Sequence, residues 1–223
     1  MFRPSYLKEG KGIEKDAPPK TGLLLFAEIF AREFWQIMKA NILFLLCALP
    51  VVTFGAAHAA LARCTMNMVR DIPNDVWPDF RRAMREDFAR NTVFGLIELG
   101  LFALGVALLR TSAALGSFGA SVLALMLIGV TAVFFQNFWP MISTLDQTTA
   151  VVVRNAWLLS LVRLGNTLGM LALNMVILLP CLILFPLSLP VCLLLPFGLS
   201  SFCSSFSCWT GCKRYLIRSD SLN

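Results

Sequence analysis

A glutamate stands in the middle of an apolar run: Glu98, within "TVFGLIELGLFALGVALL" (Thr92 to Leu109). If that run crosses a membrane, an ionised side chain there costs on the order of a few kcal/mol. Such a residue by default faces the bundle interior as a proton or ion site. The competing account is a protonated glutamate bonded to a polar group of a neighbouring helix. The only histidine, His58, sits among Gly55, Ala56, Ala59 and Ala60. It reads either as a proton site or as an imidazole hydrogen-bonded across helices. Asn137 and Asn174 carry amides into other apolar segments, where bridging two helices is the ordinary role. Glu98, His58, Asn137 and Asn174 together make the candidate intramembrane polar site.

Other chemistry is not written into the residue pattern. There is no GxSxG, HExxH or P-loop motif, and no pair of carboxylates on one helix, so no catalytic residues and no enzyme are expected. The cysteines are Cys47, Cys64, Cys181, Cys192, Cys203, Cys208 and Cys212. They lie in or beside apolar runs, without the spacing of a disulfide framework. Cys208 and Cys212 are one helical turn apart, but no CxxC pair exists and His58 is distant in sequence. A small apolar role is therefore expected, with no metal and no cofactor.

The elements that must position these residues are helices in a bilayer. The chain has 223 residues, 57% of them hydrophobic and 14% charged, with mean hydropathy +0.73. Soluble domains carry about 25% charged residues, and so few charges cannot cover a water-facing surface. An all-α, polytopic transmembrane bundle is predicted. The first 20 residues are polar and lack the apolar core and cleavage site of a signal peptide, so 1–21 reads as a cytoplasmic tail. "GLLLFAEIFAREFWQIMK" puts Leu23, Phe26, Phe30, Phe34 and Ile37 on one stripe and Glu28, Arg32, Gln36 and Lys39 on another. That is an interfacial amphipathic helix near 22–38, running on into the apolar stretch that ends at Leu49. A second interfacial helix is predicted near 79–90, capped by Asp79. Phe80, Met84 and Phe88 would share its apolar face, and Arg81, Arg82, Arg85 and Arg90 would reach lipid phosphates. A third lies near 145–164, opened by a capping box from Thr144 to Gln147. Spans are expected over Thr92–Leu109, Ala120–Ile142, Thr167–Phe185 and Val191–Trp209, with a loop at "TSAALGSFG" and a split at "PLSLP". The membrane domain is 22–212, and 213–223 is a cytoplasmic tail.

The stretch Phe44 to Cys64 decides the topology. Pro50, Val51, Val52, Thr53 and Gly55 cluster helix-breaking signals, and Thr53 reads as the N-cap of the helix that follows. Charge favours a hairpin over a single kinked span. Cytoplasmic loops hold the excess of Lys and Arg, and a hairpin places both the tail and the six arginines from Arg63 to Arg90 inside. Of 19 basic residues only Arg110 then lies outside. Each arm has about 16 residues, roughly 24 Å, against a hydrocarbon core of about 30 Å, so the hairpin spans with snorkelling side chains or is re-entrant. About six membrane segments are expected, with both termini cytoplasmic in a bacterial plasma membrane.

The run "FWQIMKANILFLLCALPVVTFGAAHAAL" resembles the N-terminal signature of the YesL-like family of bacterial membrane proteins of unknown function. The matching positions are Asn41, Leu49, Pro50, Thr53, Gly55, Ala56, Ala59 and Ala60, and "DFRRAMREDF" is similar to the family's following basic helix. His58 departs from the threonine common there. The resemblance covers about residues 30 to 100, and it implies Asn41, Pro50, Thr53, Gly55 and Ala56 as structural signature positions. The family's genes tend to lie beside carbohydrate uptake systems, which implies an accessory or regulatory role in carbohydrate uptake. A small-solute transporter in its own right is the alternative. The expected partners are the bilayer, anionic lipid head groups and a sugar-transporter component, and no nucleic acid.

Overall fold

The computed structural model describes residues 22–145, 147–184 and 189–217. The expected tail over 1–21, residues 185–188 at the "PLSLP" link, Asp146, and 218–223 lie outside the described residues. Among the described residues the secondary structure is helical, with no strand. The amphipathic stripe and the apolar run after it form one helix, α1 (Leu23–Ala48). Pro50 is extended, a 3-10 turn covers Val51–Thr53, and α2 (Phe54–Val69) returns along α1. The break at Pro50 is therefore a reversal rather than a kink.

Thr53 does not cap α2 with its side chain. Its hydroxyl instead lies 2.5 Å from the carbonyl oxygen of Cys47 and 2.8 Å from that of Pro50. The expected N-cap is thus a C-terminal device: it satisfies carbonyls that α1 leaves without helical partners.

The hub of the fold is α2. Its Gly- and Ala-rich surface is buried nearly all round, against α1, α4 (Phe88–Ala114), α5 (Phe118–Thr144), the short α3 (Val76–Arg85) and the C-terminal α9 (Pro196–Cys212). Small residues allow so many neighbours, because backbones can approach closely where side chains are short. A Cβ on Gly55 would lie 2.1 Å from the Asn91 carbonyl oxygen and 2.8 Å from the Gly95 Cα. α2 ends in a Schellman turn. Asp71, at φ 57, takes the left-handed position, and Ile72 N–H donates to the Asn67 carbonyl at 3.0 Å.

Three expectations about the second quarter of the chain are corrected. α3 begins before Asp79, which is not its N-cap: its carboxylate reaches back to accept from Asp75 N–H at 2.9 Å. The helix stops at Arg85, and Asp87, at φ 52, turns the chain into α4 (Phe88–Ala114). Phe80 and Met84 pack into the core, but Phe88 belongs to the next helix and is 40% exposed, so the three do not form one face. The loop expected from Arg110 shrinks to a tight turn, because α4 continues to a second Schellman motif. There Gly116, at φ 65, precedes Ser117, whose N–H reaches the Ser112 carbonyl at 3.0 Å.

α5 (Phe118–Thr144) runs straight through Pro140. Thr144 is its last residue, donating to the Pro140 carbonyl, so no capping box forms. α6 (Thr149–Val162) folds back on α5: Asn137 Nδ2 donates to Ser160 Oγ at 3.0 Å, and Ser160 Oγ to the Val133 carbonyl at 3.2 Å. α7 (Leu164–Ile183) follows. The single span expected over Val191–Trp209 is two helices, α8 (Leu189–Leu194) and α9, broken at Leu195–Pro196. α9 continues as a π-helical turn over Lys213–Ile217, the start of the expected C-terminal tail.

Asn41 explains how that break is tolerated in the core. Its side chain is completely buried. Nδ2 donates to the Leu193 carbonyl and Oδ1 accepts from Gly198 N–H, each at 2.8 Å. One amide thus satisfies a carbonyl at the end of α8 and a donor at the start of α9.

Three described helices are long and apolar enough to cross a membrane: Phe88–Ala114, Phe118–Thr144 and Leu164–Cys181. The α1–α2 hairpin does not run their full length. Gly55 meets Gly95, and His58 comes within 3.7 Å of Glu98. α4 then continues past Glu98 to Ala114, about 24 Å further at ~1.5 Å per residue.

Candidate functional site

Glu98, His58 and Asn174 line a common chamber of about 250 Å³ enclosed by α1, α2, α4, α5, α7 and α9. It sits where the hairpin tip ends. The polar groups arrive on five helices. α2 brings His58 one turn after its start, α4 brings Glu98, α5 brings Gln136 and Trp139, α7 brings Asn174, and α9 brings Ser200, Ser201 and Ser204.

Trp139 organises the charged end. Its indole Nε1–H donates to Glu98 Oε2 at 2.8 Å. The His58 ring stacks on the indole with centroids 4.9 Å apart and planes 29° apart. His58 Nδ1 lies 3.7 Å from the same Glu98 oxygen, beyond hydrogen-bond reach, and is buried with no partner. At the other end Asn174 Nδ2 donates to Ser204 Oγ at 3.0 Å, leaving Oδ1 buried and unpartnered. Gln136 is similar: Nε2 donates to the Thr167 carbonyl at 3.3 Å and Oε1 has no partner. Buried polar groups are normally satisfied. Three unmet atoms, each itself buried, belong to side chains that line one cavity.

Asn137, the fourth sequence candidate, is elsewhere. Its amide bridges α5 to α6 through Ser160, the ordinary helix-joining role. Trp139, Gln136 and the α9 serines were not singled out from sequence. Indole N–H groups need an acceptor when buried, and the polar run "SSFCSSFSC" is unusual in an apolar segment, so both signals were there to be used. Ser201 and Ser205 also bracket the Thr65 hydroxyl at 3.0 and 2.9 Å, fixing α9 to α2.

One turn along α2 a separate polar hollow of about 460 Å³ opens, lined by Arg63, Asn67, Arg70, Glu86, Arg90, Asn91 and Thr144 among others. Ala59 and Ile142 belong to this hollow, while Ala62 and Trp139 belong to the chamber, so only a turn of helix separates them. Glu86 holds its rim together, pairing with Arg82 at 2.9 Å and with Arg63. Partial burial acts to raise the Glu86 pKa, but hydrogen bonds and charge from the two arginines outweigh it and hold the carboxyl below its ordinary range. Arg90 pairs with Asp87 at 2.7 Å. Of the four arginines expected to face lipid, Arg82 and Arg90 are thus engaged within the protein. Arg81 and Arg85 are exposed beside Trp77 and make no ion pair among the described residues.

Cys208 and Cys212 lie with sulfurs 3.9 Å apart. Among the described residues no group of three His, Cys, Asp or Glu side chains is placed to hold a metal ion.

Residues 37–108 match the family model described as "Protein of unknown function, DUF624", with which the YesL-like resemblance agrees. The matched stretch contains Asn41, the hairpin, His58 and Glu98, whereas Trp139, Asn174 and the serines lie outside it. No curated protein and no solved structure matches the chain.

Proposed function

We propose, from the DUF624 domain over 37–108 and the chamber it half encloses, that this chain is a multi-pass bacterial plasma-membrane protein that binds a small solute within the bilayer as a permease. The observation that carries this reading is the convergence of Glu98 with three unsatisfied polar groups, His58 Nδ1, Gln136 Oε1 and Asn174 Oδ1, on one cavity. Asn174 and Gln136 bridge helices through their N–H groups alone, which leaves the two amide oxygens available to a guest. The polar hollow one turn away supplies the approach from the arginine-rich side. By the excess of Lys and Arg there, that side is cytoplasmic, with both termini on it. Six membrane segments remain the proposed count, with the first hairpin re-entrant.

An accessory role in carbohydrate uptake is the second reading. It draws on the family's genomic association and on the exposed Trp77, Arg81 and Arg85 surface of α3. That surface suits a partner subunit or anionic head groups.

The test is access. In a cysteine-free background, Ser200→Cys places a thiol on the chamber wall without removing any hydrogen bond named above. A small neutral methanethiosulfonate should modify it in membranes, and bulky Ala132→Trp in the chamber should block the reaction. An unreactive thiol would mean a dry, closed core and would sink the permease reading. Co-purification of a transporter component with an inaccessible chamber would leave the accessory role standing in its place.

A further inference from the structure

The chamber's chemistry is one-sided. Its charged wall is a carboxylate, and among the described residues no Lys or Arg side chain lines it. Its unmet amide atoms, Asn174 Oδ1 and Gln136 Oε1, are acceptors. Six aromatic rings, Phe44, Phe54, Phe102, Phe135, Trp139 and Phe197, share the rest of the wall with aliphatic side chains and the α9 serines. An anionic guest would meet Glu98, and the one basic side chain among the described lining residues, His58, already lies against that carboxyl at 3.7 Å. A polyol would offer acceptors as well as donors to a site whose amide carbonyls need donors. A hard divalent cation is usually held by several carboxylates, and Glu98 is the single carboxylate among the described residues of the wall. What fits is a guest that carries positive charge, donates hydrogen bonds and presents apolar groups to ring faces.

Resting on the permease reading above, we propose that the solute is a small organic cation, an amine or quaternary ammonium compound. Its charged group lies beside Glu98 and over the Trp139 and phenylalanine faces, where ring quadrupoles favour a desolvated cation. Where the guest carries N–H groups, Asn174 Oδ1 and Gln136 Oε1 accept from them. Trp139 has two roles. Its N–H holds the Glu98 carboxylate in place at 2.8 Å, and its ring forms part of the cage.

The experiment is calorimetric titration of the purified full-length protein in detergent with choline and ethanolamine, and with glycerol and acetate as uncharged and anionic controls. The cations should bind and the controls should not. Glu98→Gln should weaken choline binding by about tenfold or more, the effect of losing one close countercharge. Should Glu98→Gln fail to fold, Asn174→Asp serves. It adds a second carboxylate to the same chamber and should strengthen choline binding. Binding of glycerol as tightly as choline, or choline affinity unmoved by both substitutions, would overturn the proposal. Absence of any cation binding would overturn it too. In those cases a reactive Ser200→Cys thiol would keep the chamber reading and discard only the cation, whereas an unreactive thiol would discard both.

Discussion

Gly55→Ala adds one methyl group and should destabilise the bundle more than any other glycine-to-alanine change on a membrane helix, apart from its partner Gly95→Ala. The new Cβ would sit 2.1 Å from the Asn91 carbonyl oxygen and 2.9 Å from Gly95 N, and ordinary contact begins near 3.4 Å. Relief therefore requires α2 and α4 to part by about 1.3 Å, since the obstructing atoms are backbone and no side chain can swing away. Overpacking of a tight interface costs typically 1–3 kcal/mol. The same displacement pulls His58 away from Glu98, whose separation is already 3.7 Å, so the chamber should suffer along with stability. Gly100 and Gly129 are internal controls, because a Cβ there meets nothing within 4 Å. The assay is reversible unfolding in mixed micelles, comparing Gly55→Ala, Gly95→Ala, Gly100→Ala and Gly129→Ala. Gly55→Leu should be worse than Gly55→Ala. If Gly55→Ala proves as stable as Gly100→Ala, α2 and α4 do not make this contact and the placement of His58 beside Glu98 falls with it.

Asn41→Ala should cost about 2–5 kcal/mol in the same unfolding assay, because it strands both the Leu193 carbonyl and the Gly198 N–H, at roughly 1–3 kcal/mol for each unmet buried group. Asn41→Asp, which keeps only the acceptor, should fall between. Thr53→Ala should cost about 1 kcal/mol through lost hydrogen bonding at the end of α1, with Thr53→Ser nearly silent. A larger effect of the serine change would contradict the hydroxyl's role. The folded state holds the Glu86 carboxyl below the ordinary glutamate value of about 4.5. Its contribution to stability is therefore present above that value and is lost as pH falls through the lower, folded one. Glu86→Gln should flatten the acid limb of a stability-versus-pH curve, and an unchanged limb would show that the arginines do not stabilise the ionised form.

Periodicity and break signals made the helices legible, because both are local. The stripe of Phe26, Phe30 and Ile37 points to α1, and the cluster from Pro50 to Gly55 points to a reversal. Boundaries set by geometry were less legible. Phe88 continues the four-residue spacing of Phe80 and Met84, yet Asp87 adopts a left-handed conformation that the spacing does not reveal. The four arginines of "FRRAMREDFAR" read as a uniform lipid-facing row, but Glu86 and Asp87 claim Arg82 and Arg90 for the fold. In the site, Glu98, His58 and Asn174 were found because a polar residue in an apolar run is conspicuous on its own. Trp139 was not, because tryptophan is at home in such a run. Its importance comes from a partner 41 positions away in sequence. Asn137 shows the converse error: equally conspicuous in sequence, it is engaged by α6 and never reaches the chamber.

The half-length hairpin also bears on the argument from charge. α2, at 16 residues and about 24 Å, is too short to cross a hydrocarbon core of about 30 Å, whereas α1, at 26 residues, is about 39 Å long. A hairpin that stops at the level of Gly95 and Glu98 does not need to cross. Whatever the depth of the tip, the reversal at Pro50 returns α2 along α1 toward the side from which the chain came. The same depth gives the hairpin a purpose. Its tip, carrying Phe54 and His58, and the broken α8–α9 segment pinned by Asn41, with Phe197 just beyond the break, both end at the chamber wall. Helices that stop within a membrane leave backbone groups without helical partners, which is tolerated where protein or a polar cavity meets them. Thr53 and Asn41 meet them here by separate means, one at each interruption. The two signature residues therefore serve to let helices end beside Glu98, which a bundle of uninterrupted spans would bury against neighbouring side chains.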